Sequence, residues 1–575
     1  MAKYKSGEAF IDILNAHGVD KFYINPGGEF IELQSIVASA RVSGKKAPQL
    51  VLCLDETVTI AAAYGSYMVT GKPQVVLVHS ELGTLQLGGN MQNLQWGRVP
   101  VVIMTAWQEI DVKRTLWNGQ PYDQGSIVRN NVKYDRCLRG DEDIHEVMKE
   151  AFRIACTEPT GPVYLSFPMS YFYQEVEKPA SQVTPAEIPA LPAYDATALA
   201  EMANILLEAK NPLMVSGNAG RYPENVEGLV KLAETLSAQV LTGYSWMNFP
   251  SGHPLCVGIE QIGGSRKQDA GYDDADVILA IDYAMPYVSS APLPRLDARI
   301  LHIDIDPLTQ GRLLWERGAD IFIKADARKA IPELEKLLQA KITPEKKEKL
   351  RERYERIAAR NDDIRRGWYE TAWTRSNESP ISPDYLCHCI NQLIGDDSIF
   401  LNHTLSHCAS VTEQIVRRHP GTWFGCPSGA IGWAPGAALG AAAAAPGKLV
   451  AAVMTDGGFV WGCPTSTLWT SSRYQFPFLA VICNNQGYGV VRGSQQTMIE
   501  AGQFTEEYAR EAGIEFMPDY AMISRGAGAY GRTVETSEEV LPALEEALAA
   551  VYAGRPAVLD VRLGRGAGEG DNKQY

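Results

Sequence analysis

Nowhere does this 575-residue chain approach the ~18 consecutive apolar residues that a membrane span requires. The opening MAKYKSGEAFIDILNAHGVD lacks an apolar signal core and runs directly into an amphipathic helical pattern. Net positive charge is also lacking: 53 Lys and Arg against 68 Asp and Glu give a net charge of −15, which argues against nucleic acid as the main partner. The ten cysteines are scattered with no CxxC pair. Their one cluster, Cys387-His388-Cys389, fits alternation along a helix or strand better than a zinc site. From these absences we expect reduced thiols, a cytoplasmic location, and neither nucleic acid nor membrane as a partner. A hydrophobic content of 45% and a charged content of 21% are ordinary for a globular protein. The length exceeds a single core and predicts roughly three domains.

The informative stretch is TDGGFVWGCPTSTLWTSSRYQFPFLAVICNNQGYG, residues 455–489. KLVAAVMT before it reads as a buried strand, PTSTLWTSSRY as a helix, and PFLAVIC as a second strand. A right-handed strand–helix–strand crossover places Asp456 and Asn485 at one carboxyl edge of a parallel sheet. Open α/β sheets bind ligands at that edge. An aspartate and a side-chain amide oxygen are hard ligands suited to Mg²⁺, which retains water and phosphate oxygens in its octahedron. Gly457 and Gly458 allow backbone N–H groups to approach a phosphate at the head of the next helix. Two turns after core strands would use the same dipeptides. Spacing, strand context and glycines together favour a metal-anchored diphosphate site.

Three α/β segments are expected, giving three doubly wound domains with mainly parallel sheets. The first covers 1–185 and alternates helix and strand through KFYINPGG, QLVLCLDE, QVVLVHS and VPVVIMTA. A Pro- and Ala-rich stretch at 174–195 has no periodicity and reads as a linker. The second domain covers 186–342, with strands NPLMVSG, AQVLTG, DVILAID and RILHIDID. A charged helical linker fills 343–374, its charges read as a solvated face. The third domain covers 375–563 and carries the opening motif; the tail 564–575 has no core residues and is expected to be mobile.

These motifs carry a resemblance. Asp456-Gly457-Gly458, 25 residues, then Asn484-Asn485 is similar to the GDG…NN signature of thiamine diphosphate (ThDP) enzymes. LDE at 54–56 followed by AAAYGSYMVTGKPQVVLVHS resembles the pyrimidine-binding domain of the pyruvate oxidase and decarboxylase branch. That branch includes benzoylformate decarboxylase, acetolactate synthase, benzaldehyde lyase and 2-hydroxyacyl-CoA lyase. NPGG, TEPTGPVYLSFP, HIDIDP and SGAIGWAPGAALGAA follow in family order, so the resemblance spans nearly the whole chain. It implies pyrimidine-binding, middle and diphosphate-binding domains. One departure is Thr455, where the family places the first motif glycine.

The resemblance also implies roles. Asp456, Asn485 and the Gly487 carbonyl would hold Mg²⁺; Gly457 and Gly458 would cradle the diphosphate, with Tyr488 beside them and with hydroxyls from Thr404 and Ser406. Ile431 would prop the cofactor into a bent shape, and Gly429 would offer its carbonyl to the 4′-amino group. Glu56 would be the acid beside the pyrimidine, a role that needs a buried carboxyl with a raised pKa. Asp55 is the better helix cap of the pair. Active sites between chains of a homodimer or homotetramer follow from family architecture alone.

His79 aligns with a substrate-pocket histidine of benzoylformate decarboxylase and is read as a catalytic residue that relays protons or hydrogen-bonds the substrate carboxylate. Asn25 and Gly28 are expected on the neighbouring loop, with Tyr287, Val490 and Val491 as further pocket residues. An apolar pocket with few acid–base groups fits a branched or aromatic 2-oxo acid. The reading is a ThDP- and Mg²⁺-dependent lyase or ligase that decarboxylates a 2-oxo acid and forms acyloins. An acetolactate synthase-like transferase, a 2-hydroxyacyl-CoA lyase using Arg221, Arg266 and Lys267, and a non-catalytic regulatory subunit are the alternatives. The last should have lost Glu56 or a metal ligand, and neither is lost.

Overall fold

Apolar runs flanked by amphipathic helices assemble here into three six-stranded sheets, in a computed structural model that describes residues 2–107, 123–259, 271–283, 297–307, 318–503, 505, 507 and 511–564. All strand pairings within the three sheets are parallel. Both faces are therefore covered by helices, and the strands read as continuous apolar runs.

In the N-terminal sheet the spatial order is Gln49–Leu52, Lys21–Asn25, Gln74–Val78, Val101–Trp107, Val163–Pro168 and Tyr134–Cys137. The C-terminal sheet repeats that topology with Trp423–Gly425, Ile399–His403, Val450–Thr455, Leu479–Asn484, Ala557–Arg562 and Tyr530–Val534. In each, the second strand lies outside the first, and the sixth precedes the fifth. The middle sheet differs: Cys256–Ile259, Gln239–Thr242, Pro212–Ser216, Val277–Ile281, Arg299–Asp304 and Ile321–Lys324.

The first and third domains meet along two small-residue helices, Glu56–Thr70 and Trp433–Ala444. A Cβ on Gly65 would overlap the Ala437 carbonyl, and one on Gly440 would overlap the Ala62 carbonyl. The two contacts mirror each other. The same correspondence pairs Leu54 with Gly429, and both have left-handed backbones, with φ of 58° and 72°. Ser66 Oγ donates to the Gly440 carbonyl at 3.1 Å and also meets Tyr23 Oη, closing the seam.

The first and middle domains meet through buried ions. Arg98 Nη2 lies 3.0 Å from Asp304 Oδ1, and Arg221 Nη2 lies 3.0 Å from Glu158 Oε1. Arg221 also donates to Thr160 and is buried, so it is not available to the nucleotide groove considered from sequence; Arg266 and Lys267 lie outside the described residues. The expected unstructured linker begins with a strand, Glu175–Glu177, paired antiparallel with Lys3–Lys5. Helix Pro344–Thr374 carries the charged stretch, with only Ile357, Asn361 and Ala372 buried. Cys387, His388 and Cys389 sit buried in helix Pro383–Ile394, all ten cysteines are unpaired, and no metal-binding cluster of His, Cys, Asp or Glu occurs among the described residues. Among those residues no helix is long and apolar enough to cross a membrane.

Candidate active site

Strand Val450–Thr455 pairs with Leu479–Asn484 in the register Thr455 to Cys483, which brings Asp456 and Asn485 to the same sheet edge. Both are buried. Asp456 Oδ2 accepts the Gly487 N–H at 2.9 Å, tying the two strand ends together directly. Burial raises the Asp456 carboxyl above its ordinary pKa, while the Gly457 and Gly487 N–H groups oppose the rise.

The two asparagines of the motif divide the work. Asn484 Nδ2 donates to Asp560 Oδ1 at 2.6 Å, and its own Oδ1 accepts the Gln486 N–H at 3.0 Å. Asn484 thus fixes the turn, leaving Asn485 beside Ser406 and Gly489 at the site. Arg492, which sequence reading did not single out, donates to the Asn485 and Gln486 carbonyls at 3.3 and 3.4 Å. Residues 514–516 clamp the other side, with Tyr488 N on the Ile514 carbonyl and Phe516 N on that of Gln486.

Thr455 explains the departure from the family glycine. Its φ of −77° needs no glycine, and its Oγ1 accepts the Gly458 N–H at 2.9 Å as the helix cap. Gly457 N donates to Asp456 Oδ1 at 2.7 Å. Both N–H groups expected to cradle a diphosphate are therefore engaged by side chains of their own turn. Thr404 also differs from expectation: it is fully buried and its hydroxyl proton goes to Asn402 Oδ1 at 2.7 Å, so it is not a free donor. Ser406 lies beside Asn485 across Gly489.

Ile431 is only partly buried, unlike a core isoleucine, and follows Gly429 in the loop before helix Trp433–Ala444. This loop is tied to the N-terminal domain: Asn93 Nδ2 donates to the Ala430 carbonyl at 3.2 Å, and Asn93 Oδ1 accepts from Ser428. Asn90, on the same short helix, donates to the Thr57 carbonyl at 3.3 Å. One chain thus joins the head of the Glu56 helix to the Gly429–Ile431 loop.

Asp55 caps that helix, accepting Thr57 N at 2.7 Å, which frees Glu56 from capping. Glu56 is 5% exposed, lies against Gly83, and is bonded to the Asn25 side chain. Burial pushes its pKa up, and the Asn25 bond only partly opposes this. His79 stands at the end of strand Gln74–Val78, its N–H on the Asn25 carbonyl at 3.0 Å. Its Nδ1 meets Glu29, a residue two places after Gly27 in NPGGEF that sequence reading passed over. A Cβ on Gly27 would overlap both groups, whereas Gly28 faces open space.

Tyr488, Val490 and Val491 are 38%, 37% and 45% exposed at the head of helix Gly489–Glu500, and Tyr488 packs edge-on to Phe516. Tyr287 lies outside the described residues.

Three family models match in order: the N-terminal TPP-binding domain of thiamine pyrophosphate enzymes at residues 4–127, the central domain at 199–334, and the C-terminal TPP-binding domain at 406–561. The acetolactate synthase large subunit of Corynebacterium glutamicum is 27% identical over 88% of this chain and 79% of its own. Benzoylformate decarboxylase of Pseudomonas aeruginosa is 27% identical over 96% and 98%. Among solved structures, the thiamine diphosphate-dependent 4-hydroxybenzoylformate decarboxylase of Rhodococcus jostii RHA1 superposes with a TM-score of 0.78 at 22% identity, covering 98% of this chain and all of the other. With the three domains, the paired strand ends and a buried acid at the head of the first domain's central helix, the chain belongs to the thiamine pyrophosphate enzyme family.

Proposed function

We propose that this protein is a ThDP- and Mg²⁺-dependent carbon–carbon lyase or ligase that decarboxylates a 2-oxo acid without oxidation and can join the product to an aldehyde. The observation that carries this reading is the pairing of two features in one chain. A hard-oxygen group, Asp456, Asn485 and the Gly487 carbonyl, sits at adjacent strand ends. A buried glutamic acid with a raised pKa heads the helix linked through Asn90 and Asn93 to the Gly429–Ile431 loop.

The residues present fit the cofactor. Asp456, Asn485 and Gly487 would hold Mg²⁺ and, through it, the diphosphate; Ser406 is placed to add a hydroxyl. When bound, ThDP would supply a nucleophilic carbon for the substrate carbonyl and an electron sink for the carbanion equivalent left when the carboxylate departs as CO₂. The chain supplies the rest. Glu56, whose pKa burial raises, would donate a hydrogen bond to the pyrimidine ring in its protonated form. Ile431 would offer an apolar side chain against the cofactor, and Gly429 would offer its carbonyl to the cofactor's amino group. His79 moves a proton at the reacting carbon. Val490 and Val491 give the pocket apolar walls, consistent with a branched or aromatic substrate.

A homodimer or homotetramer with active sites between chains, Glu56 of one subunit serving the metal site of another, is part of the proposal. It is supported by exposed apolar side chains near these elements: Leu82 at 60%, Leu85 at 57% and Trp461 at 57%. An acetolactate synthase-like transfer remains the second reading, supported by the 27% identical large subunit. Turnover of a panel of 2-oxo acids by wild type and Glu56→Gln, followed by product mass, tests the proposal. We expect decarboxylation that falls by about two to four decades in the variant while ThDP still binds. Unchanged turnover in the variant would remove Glu56 from the mechanism.

A further inference from the structure

His79 has one edge committed, and among the described residues its other edge makes no hydrogen bond. Glu29 Oε1 lies against His79 Nδ1 and also accepts the Ser80 N–H at 3.0 Å. The Glu29 side chain is 8% exposed, against 34% for His79. The imidazole backbone is pinned on both sides: its N–H bonds the Asn25 carbonyl, and its carbonyl accepts from Thr105 Oγ1 at 3.2 Å. Gly27 leaves the room the pair needs, because any Cβ there would overlap both side chains.

An ionised carboxylate has no proton to donate. The ring nitrogen facing it therefore carries the hydrogen, and the other nitrogen carries a lone pair whenever the ring is neutral. We propose that Glu29 is a positioning residue that holds His79 as the Nδ1–H tautomer and presents Nε2 as the proton-transfer atom. A proton accepted at Nε2 leaves Nδ1–H on Glu29, so the same atom gives the proton back. The ring does not have to rotate between the two transfers. This rests on the reading of His79 as a proton relay, and it adds a residue that touches neither substrate nor cofactor.

The test has one arm independent of turnover. In full-length protein labelled with ¹⁵N-histidine, the His79 signals (identified by their loss in His79→Gln) should show a protonated Nδ1 and an unprotonated Nε2 at a pH where the ring is neutral. Glu29→Gln keeps an acceptor oxygen and should retain that tautomer; Glu29→Leu should lose it. In kinetics, Glu29→Leu should lower kcat by about 10–100-fold with KM for the 2-oxo acid nearly unchanged, and Glu29→Gln should recover most of it. His79→Ala combined with Glu29→Leu should be no worse than His79→Ala alone. A wild-type His79 protonated at Nε2, or additive losses in the double variant, would overturn the proposal. The tautomer result holds with or without ThDP turnover, so it separates this inference from the proposed reaction.

Discussion

Asp456 and Gly487, from the ends of two neighbouring parallel strands, are joined by an N–H···O bond of 2.9 Å. This one contact sets the separation of the proposed metal ligands before any ion arrives. Asn484 and Arg492 support it from behind, the first through Asp560 and the second through the Asn485 and Gln486 carbonyls.

The support should be separable from the ligands. Asn485→Ala is expected to weaken Mg²⁺-dependent ThDP binding by about 10–100-fold, the loss of one charge-linked contact. The unfolding midpoint of the cofactor-free protein should barely move. Fluorescence titration and thermal melts measure the two effects; a collapsed fold with normal affinity would reverse the assignment.

Thr455→Ala should do the opposite. It removes the acceptor for Gly458 N and is expected to cost about 1 kcal/mol of stability. ThDP affinity should be retained or improved, because the Gly458 N–H is released. Denaturant melts and binding titrations on the same sample decide the matter.

The helix seam gives a third expectation. Gly65→Ala places a methyl group against the Ala437 carbonyl and should destabilise the protein by about 1–3 kcal/mol. A wild-type denaturation midpoint would mean that the first and third domains do not meet there.

Glu56 predicts a pH dependence whose sign is unusual for a carboxylate. Its folded pKa is raised from the ordinary 4.5, so the folded state holds the proton more tightly than the unfolded chain. The stability this confers is fully present below the unfolded pKa and is lost as pH rises through the folded one. Without cofactor, Glu56→Gln should therefore match wild type near pH 4.5 and become relatively more stable toward neutrality. Denaturant midpoints at the two ends of that window are the measurement, and a stability gap that closes as pH rises would contradict a raised Glu56 pKa.

Much of this was legible in the sequence because strands buried on both faces announce themselves as apolar runs, and parallel crossovers fix which ends meet. Asp456 and Asn485 follow from that geometry, whereas Glu56 came from the family resemblance, with its burial and the Asp55 cap agreeing with the surroundings expected of it. What could not be read was local hydrogen bonding. Thr404 was expected to offer a hydroxyl, yet Asn402, two residues away, takes its proton. Arg221 looked like a candidate for a nucleotide groove until Glu158, 63 positions distant, paired with it. Glu29 was overlooked for the same reason: its partner, His79, lies 50 residues on and is reached only through the parallel pairing of Lys21–Asn25 with Gln74–Val78.

The account's central claim is that Asp456, Asn485 and Gly487 form a Mg²⁺ site that captures ThDP. Isothermal titration of the full-length protein with ThDP, with and without Mg²⁺, tests it most directly. We expect one ThDP per chain in the presence of Mg²⁺, and loss of binding with EDTA or in Asp456→Ala. Binding of equal strength in all these conditions, or none to the wild type with Mg²⁺ present, would contradict it.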